Sequence, residues 1–340
     1  MREIVSALPD PYGPFLVRDD FIVRADLFPL PGTYNGRLEE RHFELDNQFD
    51  RFIEEKLAAL HRAADSYRCI DPEEAEVLAD IYLRLFDVYA SEYDKFVQRD
   101  GDRIFLKLLG IELDTRDPLN ISVAALPDAP EVGQRVAGWI EAQRGIARLG
   151  DALALSCQED IVIMRLREDG RHYAESLHVL LPSTWTPLEK YRQSFGDIHV
   201  PVAESGRLIA SANNVMKAIV TKGPYVRFGL SLTTLPRIDS HPDHPKPWED
   251  RWLEDPDELA RNTYVRIERQ TTRPFADVGR ALFSVRIYLT RLDEFASRRP
   301  DYARRLTTVL RSASPAVVEY KGMTRYAEPV AAWCERYSCG

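Results

Sequence analysis

Apolar residues recur at helical spacing through Phe49, Phe52, Ile53, Leu57 and Leu60, which predicts a helix that buries one face. Asp71-Pro72-Glu73-Glu74 reads as the start of a second helix. Aspartate is a capping residue, proline suits the first turn, and acids favour the positive end of the helix dipole. The stripe Val77, Leu78, Ile81, Leu85, Val88 and Tyr89 continues that helix, and a third is predicted over Val132–Leu149, after the break at Pro127–Pro130. Before all of these, Pro9, Pro11, Gly13, Pro14, Pro29, Pro31, Gly32 and Gly36 punctuate residues 1–36 as an extended arm. The first 150 residues are thus expected to be a loop arm followed by a mainly helical region.

After Asp151 the period changes from about 3.6 to about 2. Ile161–Leu166 and Arg171–Leu181 read as strands joined by the turn Glu168-Asp169-Gly170. Pro182, Pro187 and Pro201 then mark an irregular stretch, followed by a helix over Gly206–Thr221 and three strands over Tyr225–Thr234, Thr263–Thr271 and Ala281–Leu289. The fold class is α+β. Two strands, short helices and three more strands is the order of a PAS-like five-stranded antiparallel sheet with enclosing helices, an order other α+β folds share. In the last three strands, Phe228, Leu230, Leu232, Val265, Ile267, Phe283, Val285, Ile287 and Leu289 are expected on one apolar face. Arg227, Ser231, Tyr264, Arg266, Glu268, Ser284, Arg286 and Tyr288 would then share the other, either solvated or packed as a charged network. The expected division is residues 1–150, a core domain over 151–292, and a C-terminal tail over 293–340 with a helix at Tyr302–Leu310.

Composition narrows the function without choosing it. A net charge of −9 disfavours a nucleic-acid or anionic-membrane surface. No apolar run approaches the roughly 20 residues of a membrane helix. Cys69, Cys157, Cys334 and Cys339 are too scattered for a disulfide framework or zinc ribbon. The opening Met1-Arg2-Glu3 leads into prolines and not into the apolar stretch of a signal peptide, so a cytoplasmic location is expected. No Gly-x-Gly-x-x-Gly or Gly-Lys-Ser/Thr loop is present to bind a dinucleotide or ATP. His241-x-x-His244 has metal-pair spacing, but it lies in a proline-broken loop with no cysteine partner nearby.

Several segments resemble the haem-dependent oxidative N-demethylase family in order and spacing. These are Gln158-Glu159-Asp160-Ile161; Pro182-Ser183-Thr184-Trp185-Thr186-Pro187-Leu188-Glu189-Lys190; Ile198-His199-Val200-Pro201-Val202; and Arg266-Ile267-Glu268-Arg269-Gln270-Thr271 with Leu282–Leu289 behind it. The chain departs from the family at Phe228-Gly229-Leu230, where an Asn-Trp pair is usual, and at Thr272 and Phe275. The resemblance implies a PAS-fold haem domain, haem b and oxidative removal of an N-methyl group from a small amine by activated oxygen. A haem-PAS gas sensor or carrier without turnover is the alternative.

The resemblance makes His199 the expected iron ligand, because neutral imidazole is a common axial donor and Pro201 stiffens the chain beside it. Ile198 and Val200 would be apolar walls. A lone histidine in an apolar stretch is otherwise more often a hydrogen-bonded core residue. His178 is the second candidate ligand. Trp185 would contact the haem edge or anchor the pocket loop, and Lys190 and Arg227 rank ahead of Arg192 and Arg207 for the haem propionates. Glu268, with Tyr264 or Tyr288, would hold the substrate ammonium by charge and cation–π attraction. With no dinucleotide loop or iron–sulfur cysteine set in the chain, electrons are expected from a separate reductase subunit or electron-transfer protein, or else peroxide replaces molecular oxygen.

Overall fold

The computed structural model describes residues 5–243 and 254–339. Thirteen strands are used below, numbered in chain order. Phe28–Pro29 is β1, Gly32–Tyr34 is β2, Arg37–Glu39 is β3 and Arg68–Ile70 is β4. Val97–Asp100, Arg103–Leu106, Ile111–Asp114 and Ser122–Ala125 are β5 to β8. Asp160–Leu166 is β9, His172–His178 is β10, Tyr225–Thr233 is β11, Tyr264–Phe275 is β12 and Arg280–Arg291 is β13.

The main sheet is antiparallel, in the order β1-β11-β12-β13-β9-β10-β4. The five expected strands form its middle, and Gly170, at φ +85°, makes the turn between β9 and β10. The sheet has seven strands and not five, because two-residue β1 and three-residue β4 pair along its edges. Such short pieces carry no readable alternation, but they cover backbone that would otherwise be an open edge.

The faces of the sheet also differ from the expectation. Glu268 pairs with Ile287, Arg266 with Leu289, and Arg269 with Arg286. Directly paired residues point to the same side. Phe283, Val285, Ile287 and Leu289 therefore share a face with Arg227, Ser231, Arg266 and Glu268, while Ser284, Arg286 and Tyr288 lie on the other. The alternation within each strand was legible; the phase of β13 against β12 was set by the turn at Ala276–Gly279.

Each face has its own cover. On the face carrying Val162, Met164 and Leu177, the helices Phe195–His199, Gly206–Ala210 and Ala212–Thr221 contribute Phe195, Leu208, Val215, Met216 and Ile219 to one apolar cluster. On the opposite face, the helices Phe49–Tyr67 and Ala75–Glu92 pack on Ile161, Ile163 and Leu282. The C-terminal helices pack there on Phe228, Leu230, Val265 and Ile267. The N-terminal region is less helical than expected, since β5 to β8 form a four-stranded meander. The helix expected over Val132–Leu149 is two, Glu131–Ala142 and Ala147–Ala154, parted around Gly145 at φ +58°. Among the described residues no helix is long and apolar enough to cross a membrane.

Between the two helical layers of that second face lies a buried ionic seam. Arg269 Nε donates to Glu39 at 2.8 Å, and Arg286 Nη2 donates to Asp46 at 2.5 Å. Asp46 also accepts from Gln158, and Arg286 lies over the Phe52 ring at 3.9 Å. Removing one member of such a buried pair leaves the other charge unpaired in low dielectric. Arg269→Met should therefore lower unfolding free energy by about 3–5 kcal/mol, read from urea unfolding midpoints. An unchanged midpoint would contradict the role given to the seam.

Candidate functional site

His199 is the last residue of the short helix Phe195–His199, whose start is capped by the Ser194 hydroxyl accepting from the Asp197 N–H. Its ring packs tilted against Phe195, with centroids 4.3 Å apart and the planes at 35°. Nδ1 lies 2.6 Å from the Phe195 carbonyl oxygen, which can only accept, so the ring carries its proton on Nδ1. The Nε2 lone pair is left free. Burial pushes the His199 pKa down, the Phe195 hydrogen bond opposes this, and the nearby charges of Arg227 and Lys190 add to the lowering. A neutral, oriented imidazole with a free Nε2 is the form that ligates iron.

Arg227 projects from β11 on the same face. Its Nη2 reaches the Arg24 carbonyl at 3.4 Å, while its buried Nε has no hydrogen-bond partner in the structure. Burial lowers its pKa against the raising influence of Asp26 and Glu268. An unpaired buried guanidinium N–H is costly unless an anion meets it. Lys190 ends the short helix Pro187–Lys190, and its Nζ lies 3.4 Å from the Ile198 carbonyl, beside the histidine helix. Trp185, Ile198, Tyr225 and Phe283 are partly buried and pack on the same apolar cluster as Phe195. Val200 is 63% exposed and is not a wall, in contrast to the expectation.

Glu268 lies on the same sheet face as Arg227, on the neighbouring strand β12. Ser183 donates to Oε1 at 2.6 Å, Gln270 donates to Oε2 at 3.0 Å, and Arg266 Nε lies 3.8 Å away. Burial would raise its pKa, but Arg266, Lys321 and these two hydrogen bonds outweigh it and hold the carboxyl below its usual value. Arg266 is itself committed: it donates to Ser183 Oγ and to the carbonyls of Ile238 and Leu181. Lys321, in the turn after the helix Pro315–Tyr320, interacts electrostatically with Glu268 from the C-terminal tail. Burial lowers its pKa and Glu268 opposes that. Nothing in the local sequence marked Lys321, because only the path of the tail brings it here.

One face of the sheet, called the cleft face below, thus carries Arg227 and Glu268, with His199, Lys190 and Trp185 in the segment that packs over it. Two other candidates lie on the far face of the sheet. His178 pairs with Ile161, is fully buried, and places Nε2 3.4 Å from Asp151 Oδ1 with Tyr82 edge-on to its ring. Burial lowers its pKa, and Gly150 leaves room for it: a Cβ there would come within 2.6 Å of the ring. It is a packed core histidine. Tyr288 is buried against Tyr12 and the Arg286 guanidinium. Tyr264 is on the Glu268 face but four residues along the strand, about 13 Å away. Neither tyrosine stands beside Glu268.

His241 is buried against Tyr67, with ring centroids 4.7 Å apart, and His244 lies outside the described residues. Among the described residues no three His, Cys, Asp or Glu side chains converge as a metal-binding set.

The acidic pair opening β9 serves the architecture of the cleft. Asp160 accepts from the N–H groups of Leu180 and Leu181, fixing where the pocket loop leaves β10. Glu159 accepts from the Glu44 N–H and reaches toward the ionic seam. Burial raises Glu159 from an ordinary 4.5 to about 7, against the lowering influence of Arg286. The native state therefore binds a proton that the unfolded chain releases between pH 4.5 and 7, so this group makes stability fall as pH rises through that window. Glu159→Gln keeps the acceptor oxygen and should flatten that fall, measured by denaturant unfolding at pH 5 and pH 7.5. Equal slopes for the two proteins would refute it.

Residues 37–331 match the family model described as haem-dependent oxidative N-demethylase, alpha subunit-like.

Proposed function

Since the chain belongs to the haem-dependent oxidative N-demethylase, alpha-subunit-like family, we propose that its cleft holds haem b on His199 Nε2 and oxidatively demethylates a small amine. The observation that carries this reading is the fixed tautomer of His199, with Nδ1–H spent on the Phe195 carbonyl and Nε2 left free among cations. The absence of a Cys-x-x-Cys-His sequence supports non-covalent haem.

Bound haem would supply the oxygen activation that removing an N-methyl group requires. The residues of the chain supply the setting. The Phe195 carbonyl keeps the proton on Nδ1 and so aims the ring. Lys190 and Arg227 are the cations for the propionates, and the unpaired Arg227 Nε gives one of them a buried donor. Trp185, Ile198 and Phe283 form an apolar wall that keeps water from the porphyrin. Glu268 presents the carboxylate of the cleft toward an ammonium.

The middle five strands, numbered among themselves, lie in the spatial order second, first, fifth, fourth, third, with helices over one face. That arrangement supports a PAS-like core over residues 151–292. Residues 1–150 then act as a cover on the far face, and 293–340 as a tail that supplies Lys321. The description of the family as an alpha subunit supports a separate reductase subunit or electron-transfer protein as electron source, with molecular oxygen or peroxide as oxidant. We place the reaction in the cytoplasm.

Titration of the purified protein with haemin tests this directly. The unsubstituted chain should develop the Soret spectrum of histidine-ligated haem, His178→Gln should retain it, and His199→Ala should lose it while keeping the same circular dichroism. A His199→Ala protein with an unchanged haem spectrum would overturn the assignment.

A further inference from the structure

Gly229 stands in the middle of β11, on the cleft face, directly opposite Glu268. Glycine inside a strand is unfavourable and usually marks a bulge, a bend, or a place where another backbone or a ligand comes close. The first three causes are absent at this position. The pairing of β11 with β12 runs without a register shift from Tyr225↔Thr272 to Thr233↔Tyr264. Gly229 does not have the positive φ that favours glycine, and a Cβ there would meet only Glu268, at 3.8 Å from Cβ and 3.9 Å from Oε2. The fold would accept a side chain. What the glycine leaves is open space beside the Glu268 carboxylate.

The charges around that space decide what can enter it. Glu268 interacts with Arg227, Arg266 and Lys321. Both of its oxygens already accept hydrogen bonds, from Ser183 and Gln270. Arg227 also has Asp26 near it, and Arg266 has Asp160, Asp239 and Glu55, whereas Glu268 is the acid that acts on Lys321, so a small dialkylammonium would compete with Lys321 for Glu268. Lys190 and Arg227 are matched by propionates in the reading above, and Arg266 is held by two carbonyls and Ser183. Lys321 is the cation left for a ligand. A molecule that offers Lys321 a carboxylate also frees Glu268 to face that molecule's own ammonium.

We propose that the space at Gly229 admits a carboxylate-bearing secondary or tertiary amine, an N-methyl amino acid in place of a simple methylamine, with Lys321 binding its carboxylate and Glu268 facing its ammonium. This rests on the haem reading for the identity of the N-methyl chemistry, though the subsite itself is built from side chains of this chain. Lys321 and Gly229 are then specificity-determining residues that set which amine is held.

Calorimetric binding of N-methylglycine and dimethylamine, to haem-loaded and haem-free protein, separates the possibilities. The unsubstituted chain should prefer N-methylglycine. Lys321→Gln should weaken N-methylglycine about tenfold or more, the scale of a lost charge-assisted hydrogen bond, while dimethylamine binds no more weakly than before and haemin affinity is unchanged; Lys321→Arg should restore much of the N-methylglycine affinity. Gly229→Val should exclude N-methylglycine and leave haemin uptake intact. Dimethylamine binding as tightly as N-methylglycine would overturn the proposal. So would a Lys321→Gln protein that loses haemin affinity instead, since Lys321 would then hold a propionate. A chain that takes up no haemin contradicts the haem reading alone, and the haem-free titration still decides the subsite.

Discussion

The hydrogen bond from His199 Nδ1 to the Phe195 carbonyl is the constraint on which the functional account rests. One helical turn closes on itself, and in doing so it fixes a tautomer, a ring direction and a free nitrogen. A second effect keeps that nitrogen available. Burial, opposed by the Phe195 hydrogen bond and aided by the charges of Arg227 and Lys190, disfavours a second proton on the ring. The sheet contributes the remaining wall, because the phase of β13 sends Phe283, Val285 and Leu289 to the cleft side and Arg286 to the ionic seam.

Electrostatics divides the two faces by different means. On the far face, arginines and carboxylates are paired and hydrogen-bonded within the chain, which is how buried charges are tolerated. On the cleft face Arg227 makes no ion pair among the described residues: its Nη2 reaches the Arg24 carbonyl and its buried Nε has no hydrogen-bond partner. Charges paired within the chain hold layers together, whereas a buried guanidinium with no acid on it leaves a place for an anion from outside. What separates Arg269 and Arg286 from Arg227 is a carboxylate partner, Glu39 and Asp46 respectively, since Arg286 Nε is also left without a hydrogen bond.

Much of the fold was legible where a pattern ran long enough. The stripes from Phe49 and Val77, the glycine turn at 170 and the alternation of β11 to β13 all appear as expected. Short elements were not legible, since β1, β4 and the four-residue strands of the meander give periodicity too little length. The sharing of faces was missed for another reason: alternation within one strand says nothing of its phase against the next. The site divided along the same line. His199, Lys190, Trp185, Arg227 and Glu268 lie in or beside stretches whose order could be read, and the structure places them on or over one face of the sheet. His178 was the second candidate in sequence, and only pairing with Ile161 puts it on the far side. Lys321 depends on a tail that returns to the cleft from a distance.

The most direct test of the central claim is a crystal structure of the haem-reconstituted protein. The account predicts iron bonded to His199 Nε2 on the face that carries Glu268, with the Nδ1 hydrogen bond to Phe195 preserved. Iron on any other residue, or porphyrin on the opposite face of the sheet, would contradict it.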